Sequence, residues 1–258
     1  MAESNKYRFK DLNVEECFKE FYIVPDYQRE YVWRAEHEVS QLLMDLYDEF
    51  SGDKTKEYFI GTTVVFDNNG QKELIDGQQR TTTLFLMLCA FRNLYALKGL
   101  PTNVADQLLH NVRYNDDGDE VSQLHLVLQY PDSETIIQQL VDKAPSRTVK
   151  SESAKRINEA YETIFKFIAD NTEKDLDELK SLFMYFLRKL KFIQILTPDI
   201  NDALKIFETI NDRGVGLNPM DLLKNLIFQQ VPREKFYKLK DKWKELIDTL
   251  ESEHEKPL

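Results

Sequence analysis

Apolar positions along this 258-residue chain switch between two spacings, and the switches outline its elements. Residues three and four apart recur over Ala35 to Phe50, where Val39, Leu42, Leu43, Leu46, Tyr47 and Phe50 would line one helical face and Ser51-Gly52 can stop the helix. Tyr58 to Phe66 is rich in β-branched residues instead and reads as a strand. Asp67-Asn68-Asn69-Gly70 is a turn signal, so Lys72 to Ile75 is expected to return antiparallel as the second arm of a hairpin. Helical spacing resumes over Thr81 to Leu97. Past a less regular region from Gly99 to Gly118, it returns in Ser133 to Val141, Ser153 to Ala169, Leu176 to Leu190, Asp202 to Ile210, Pro219 to Gln229 and Arg233 to Leu250. Further strands are predicted at Leu124 to Leu128 and Lys191 to Leu196. Near the start, Asn13 and Glu16 suit a capping box for a short helix to Phe21, and Ile23-Val24 before Pro25 reads as extended.

The pattern implies an α+β fold: an N-terminal part to about residue 100 that mixes strands and helices, and a helix-rich lobe over 101–258. Composition narrows the class further. With 42% apolar and 31% charged residues, and no apolar run of about 18 residues, neither disorder nor a membrane-spanning helix is expected. The N-terminus lacks the basic start and apolar stretch of a secretory signal, and there are only two cysteines, Cys17 and Cys89, so a cytoplasmic location is expected. Both thiols are expected to be inert core groups. The net charge of −11 argues against a general nucleic-acid coat, which needs a cationic face. The acidic excess at Asp116 to Glu120 and Asp170 to Glu178 reads as solvated surface.

Several familiar active sites are excluded by motif: no phosphate-binding Gly-x-x-x-x-Gly-Lys-Ser/Thr, no Gly-x-Gly-x-x-Gly, no Cys-x-x-Cys and no His-Glu-x-x-His. His37, His110, His125 and His254 lack ligand spacing and are expected at the surface or its boundary. Three constellations remain. Asp76-Gly77-Gln78-Gln79-Arg80, followed by Thr81-Thr82-Thr83, lies between a predicted strand and a predicted helix. A helix start offers free N–H groups and positive partial charge, glycine lets backbone approach a ligand, and arginine matches phosphate oxygens, so this joint suits an anion. Asp76 could hold a divalent cation, or it could simply cap the helix while Arg80 makes a surface ion pair. In the second, Pro25 to Trp33, Tyr27, Tyr31 and Trp33 interleave with Gln28, Arg29 and Glu30; the rings could stack on a base and Arg29 could meet phosphate, or the segment could pack onto the core. In the third, Phe207 to Leu217, a helix is expected to end on Asn211, with Arg213 as a ligand for charge and Gly214 allowing a sharp turn.

These motifs, in this order and together with Phe59-Ile60-Gly61-Thr62, resemble the N-terminal domain of GmrSD-type restriction proteins, a ParB/sulfiredoxin-like family of bacterial phage-defence NTPases. The resemblance implies a small ParB/sulfiredoxin-like mixed sheet with helices, and a nucleotide site at Asp76 to Arg80. It implies catalytic roles for Asp76, Gln78, Gln79 and Arg80. Contacts to the nucleotide would come from Gly77, Thr81, Thr82, Tyr27, Gln28, Arg29, Asn211 and Arg213, with Asp76 assisting a magnesium ion. The implied function is binding and hydrolysis of a nucleoside triphosphate that licenses DNA cleavage; the alternative is a sensor that binds a nucleotide or modified DNA without turnover. No membrane partner is implied, and a homo-oligomer is compatible with the pattern. Relatives often continue into an HNH-type nuclease, for which this chain carries no metal centre, so either an isolated N-terminal domain or, in preference, a chain truncated from a longer protein is expected.

Overall fold

The computed structural model describes residues 7–68, 71–114, 117–130, 132–144, 147–173 and 175–211, with scattered positions after 226. The chain begins with strand β1 (Arg8–Asn13) and the single turn α1 (Val14–Cys17). The capping box is present: the Glu16 N–H donates to the Asn13 side chain at 2.8 Å, and the Asn13 N–H donates to the Glu16 carboxylate at 2.9 Å. That helix ends at Cys17 rather than Phe21. Strand β2 (Tyr22–Val24) follows, then an extended segment, a π-helical turn (Ala35–Val39) and α2 (Ser40–Gly52). The hairpin arms are β3 (Tyr58–Asn68) and β4 (Gln71–Asp76), which lead into α3 (Gln78–Leu97). Next come α4 (Asn103–Leu109), the hairpin β5 (His110–Tyr114) and β6 (Glu120–Leu124), β7 (Leu126–Leu128), α5 (Ser133–Val141), α6 (Glu152–Asn171), α7 (Leu176–Lys189), β8 (Leu190–Thr197) and α8 (Ile200–Asn211). The helices expected over Pro219 to Gln229 and Arg233 to Leu250, with the Asn218 cap, fall largely outside the described residues.

Six strands form one mixed sheet in the order β1-β8-β3-β4-β2-β7. The hairpin pair β3/β4 and the edge pair β1/β8 are antiparallel, while β3/β8, β2/β4 and β2/β7 are parallel. The fold is therefore α+β, and its sheet draws strands from both sides of residue 100. Alternation along the strands divides the apolar groups between two faces. Val65, Leu74 and Phe192 point into the main core with α2, α3, α6 and α7, whereas Val64, Ile75 and Ile195 face the other way, against Ile200, Ala203 and Leu204 of α8. Helix α3 is the centre of the main core: Leu84 through Phe91 are all buried, a run apolar on every side that suits a helix surrounded by protein. Cys89 lies in that run, and burial pushes both its thiol and that of Cys17 up to about 12, so neither is a nucleophile at neutral pH.

Two expectations are corrected here. The region Gly99 to Gly118 contains α4 and the first arm of a two-stranded hairpin, and β6 ends at Leu124 so that β7 is a separate strand. His125 is buried, with Nδ1 3.1 Å from the Leu108 carbonyl, instead of lying at the surface. No helix among the described residues is long and apolar enough to cross a membrane.

Candidate functional site

The joint between β4 and α3 takes its shape from a glycine. Gly77 is the N-cap of α3 at φ +84°, and a Cβ there would lie 2.6 Å from Thr63 Cγ2 and 3.2 Å from the Thr62 carbonyl oxygen. Both the left-handed backbone and the close approach call for glycine. The helix starts at Gln78, three residues earlier than the spacing suggested, so Gln78, Gln79 and Arg80 form its first turn. The first intrahelical bond runs from the Thr81 N–H to the Gly77 carbonyl at 2.9 Å, and Gly77 provides no side-chain cap. The leading N–H groups keep the donor capacity and partial positive charge of an open helix start.

Arg80 folds back onto β3. Its Nη1 donates to the Thr62 carbonyl at 2.9 Å, the single acceptor for this guanidinium among the described residues. The guanidinium fills the space left by the missing side chain of Gly61, where a Cβ would stand 2.7 Å from Nη1, 3.0 Å from Cζ and 3.1 Å from Nη2. Gly61 has φ +117°, and the pairing of β3 with β8 slips between Phe59 and Thr62 at the same place. That bulge interrupts regular pairing and turns the Thr62 carbonyl toward Arg80. Burial draws the Arg80 pKa below the usual arginine value, opposed by Asp76 and Tyr58. Burial also pushes the Asp76 carboxyl above the usual carboxylate range, opposed by the Gly77 N–H and the charge of Arg80. Two desolvated groups of opposite charge thus flank an open helix start, where an anion would meet N–H donors and a guanidinium and a cation would meet a carboxylate.

Gly61 and Thr62 belong to this site; in the sequence they stand among the motifs that carry the resemblance, with no role assigned to them. The available signal was a glycine inside a β-branched strand, which marks a bulge or a close backbone approach.

A family model described as the GmrSD restriction endonuclease N-terminal domain matches residues 9–228. The chain belongs to this family. Its place is thus in a restriction system, a phage-defence role. No curated protein matches the chain.

In this member of the GmrSD family, the segment from Pro25 to Arg34 lies over the start of α3 as a strap. Gln79 holds it: Oε1 accepts from the Val32 N–H at 2.8 Å and the Trp33 N–H at 3.3 Å, and Nε2 donates to the Glu30 carbonyl at 2.9 Å. Because two donors meet one end of the amide and a carbonyl meets the other, its orientation is fixed by chemistry. Gln78 Oε1 lies 3.4 Å from the hydroxyl of Tyr130, which also donates to the Arg29 carbonyl. Tyr31 bonds Thr83 at 2.8 Å, and Thr83 donates on to the Gln79 carbonyl at 2.9 Å.

The remaining sequence-predicted residues divide by exposure. Tyr27 is buried, its hydroxyl 3.1 Å from Glu73 and its ring edge-on to Phe236, while Tyr31 is buried and Trp33 packs against the main core. The aromatic residues of the strap therefore face inward, as the packing alternative had it. Gln28 is buried and Arg29 is exposed. Thr81 and Thr82 are each 2% exposed, on the core side of α3. Asn211 ends α8, the helix that packs on β3, β4 and β8, and Arg213 lies outside the described residues.

Among the described residues there is no cluster of three or more metal-binding side chains. Asp76 is the carboxylate that ends β4 at this joint. It fits magnesium in the mode in which the ion arrives on phosphates, keeps waters and takes one or two protein carboxylates.

Proposed function

We propose that the β4–α3 joint binds the phosphates of a nucleoside triphosphate, and that the chain hydrolyses it to license DNA cleavage by a nuclease domain or partner. The observation that supports this most is the seating of Arg80. A half-buried guanidinium with one acceptor among the described residues, held by Gly61 beside an uncapped helix start, has donors left for an anion. In this reading Arg80 and the leading N–H groups of α3 bind phosphate oxygens, and Gly77 admits them close to the backbone. Gln78, half-buried beside them, has an amide able to orient a water. Arg29, exposed on the strap, would supply a second guanidinium for phosphate. Asp76 would hold the magnesium ion, which supplies charge neutralisation on the phosphates when bound; its own desolvation is relieved by that cation. Phosphoryl transfer to water depends chiefly on such positioning and charge compensation, so the site needs no strong base of its own. Thr81 and Thr82 support the helix from the core side in this scheme, and Asn211 and Arg213 remain expectations of the family resemblance.

The test is phosphate release from ATP, GTP, CTP and UTP with magnesium, in the presence and absence of DNA. Release from at least one, lost in Arg80→Ala, is the expected outcome. No release from any of the four under either condition would defeat the hydrolytic reading. Binding without release would leave a sensor as the better account.

A further inference from the structure

The strap and the helix start are joined by side chains, and one of them makes three of the bonds. Gln79 takes the Val32 N–H, the Trp33 N–H and the Glu30 carbonyl, a pattern that imitates a neighbouring strand and satisfies backbone groups of a segment that lies outside the sheet. Arg156 of α6 adds a bond to the Val32 carbonyl at 3.3 Å, and Tyr130 binds the Arg29 carbonyl. Gln79 lies in the first turn of α3, next to Arg80 in sequence, so whatever shifts that turn also shifts the strap. With both ends of its amide engaged, Gln79 has little capacity left to orient a reacting water, unlike Gln78, whose amide makes one long contact.

We propose that Gln79 is a positioning residue: it ties the strap to the first turn of α3, so that Arg29 on the strap and Arg80 on the helix form a single ligand-binding surface. This inference rests on the nucleotide reading above for the identity of the ligand, but the tie itself does not depend on it. The consequence is a coupling in both directions. A ligand held at the helix start steadies residues 26–34, and loosening the strap weakens the ligand.

Hydrogen exchange of the Val32 and Trp33 amides, combined with calorimetric titration of ATP and magnesium, tests this in the native chain and in two variants. Gln79→Met keeps the side chain's length and helical preference but removes all three bonds. Exchange at Val32 and Trp33 should then rise by about tenfold or more, since both donors lose their acceptor, and ATP affinity should fall by about tenfold with Arg80 untouched. Gln79→Glu keeps an acceptor for both N–H groups and should restore their protection to within about threefold of native while opposing the Glu30 carbonyl. Unchanged exchange at Val32 and Trp33 in Gln79→Met overturns the tie. Raised exchange with unchanged ATP affinity overturns its role in ligand binding. If the native chain binds no nucleotide, the reading of the ligand fails, and the exchange result still decides whether Gln79 holds the strap.

Discussion

The seating of Arg80 on Gly61 can be tested by placing a methyl group where the guanidinium rests. In Gly61→Ala the new Cβ would stand 2.7 Å from Nη1 and about as close to the rest of the guanidinium, so Arg80 must leave its bond to the Thr62 carbonyl. Two effects contribute, and a double-mutant cycle separates them. Holding an alanine at φ +117° is strained by roughly 1–3 kcal/mol whatever residue 80 is. Loss of a hydrogen bond from a charged donor adds about 1.5–3 kcal/mol, but only while Arg80 is present. Gly61→Ala should therefore be less damaging in an Arg80→Ala background than in the native one, by about 1.5–3 kcal/mol. In thermal denaturation that difference corresponds to roughly 3–12 °C in Tm for a chain of this size. Equal effects of Gly61→Ala in the two backgrounds would refute the reasoning, since they would mean that the guanidinium does not occupy the glycine's face.

Gly77→Ala should destabilise the fold without any such dependence on Arg80, by about 1–3 kcal/mol or more, because its Cβ would meet Thr63 and the Thr62 backbone at φ +84°; calorimetric unfolding reads this directly. Tyr31→Phe removes a buried hydroxyl bonded to Thr83 and should lower stability by about 1 kcal/mol, read from denaturant midpoints at constant m-value. The pH dependence of Asp76 has a definite sign. Its folded pKa is raised by burial, so its contribution favours the fold below the ordinary carboxylate range and is lost as pH rises through the raised value. Asp76→Asn should accordingly be more stable than the native chain at neutral pH, with the gap closing in acid; Tm measured against pH shows it, and a gap that widens in acid would contradict the assigned direction.

Much of this architecture is legible in the sequence because it depends on short-range pattern. The Asp67 to Gly70 turn with its flanking strands, the long helix after it and α5 at Ser133–Val141 follow from spacing and turn chemistry alone. Strand β1 escaped because Arg8 to Asp11 lie exposed on a sheet edge, where no burial imposes an alternating pattern. The start of α3 shifted to Gln78 because a left-handed glycine can begin a helix that side-chain caps would have placed later. At the site, the Asp76 to Arg80 motif could be located at its strand–helix joint, but the partners of its side chains could not. Gly61 against Arg80 and Gln79 against the strap are long-range pairings that depend on how β3 lies in the sheet and how the segment after Pro25 lies over α3. The aromatic residues of Tyr27 to Trp33 had two open readings for the same reason, and only burial separates a stacking platform from a packed strap.

The account stands on a nucleotide at the β4–α3 joint, and calorimetric titration of each ribonucleoside triphosphate with magnesium into the native chain and into Arg80→Ala tests it most directly. At least one should bind the native chain, with affinity reduced by about tenfold or more in Arg80→Ala, the loss of a charge-assisted contact to phosphate. Equal affinity in the two proteins, or no binding of any of the four to the native chain, would contradict it.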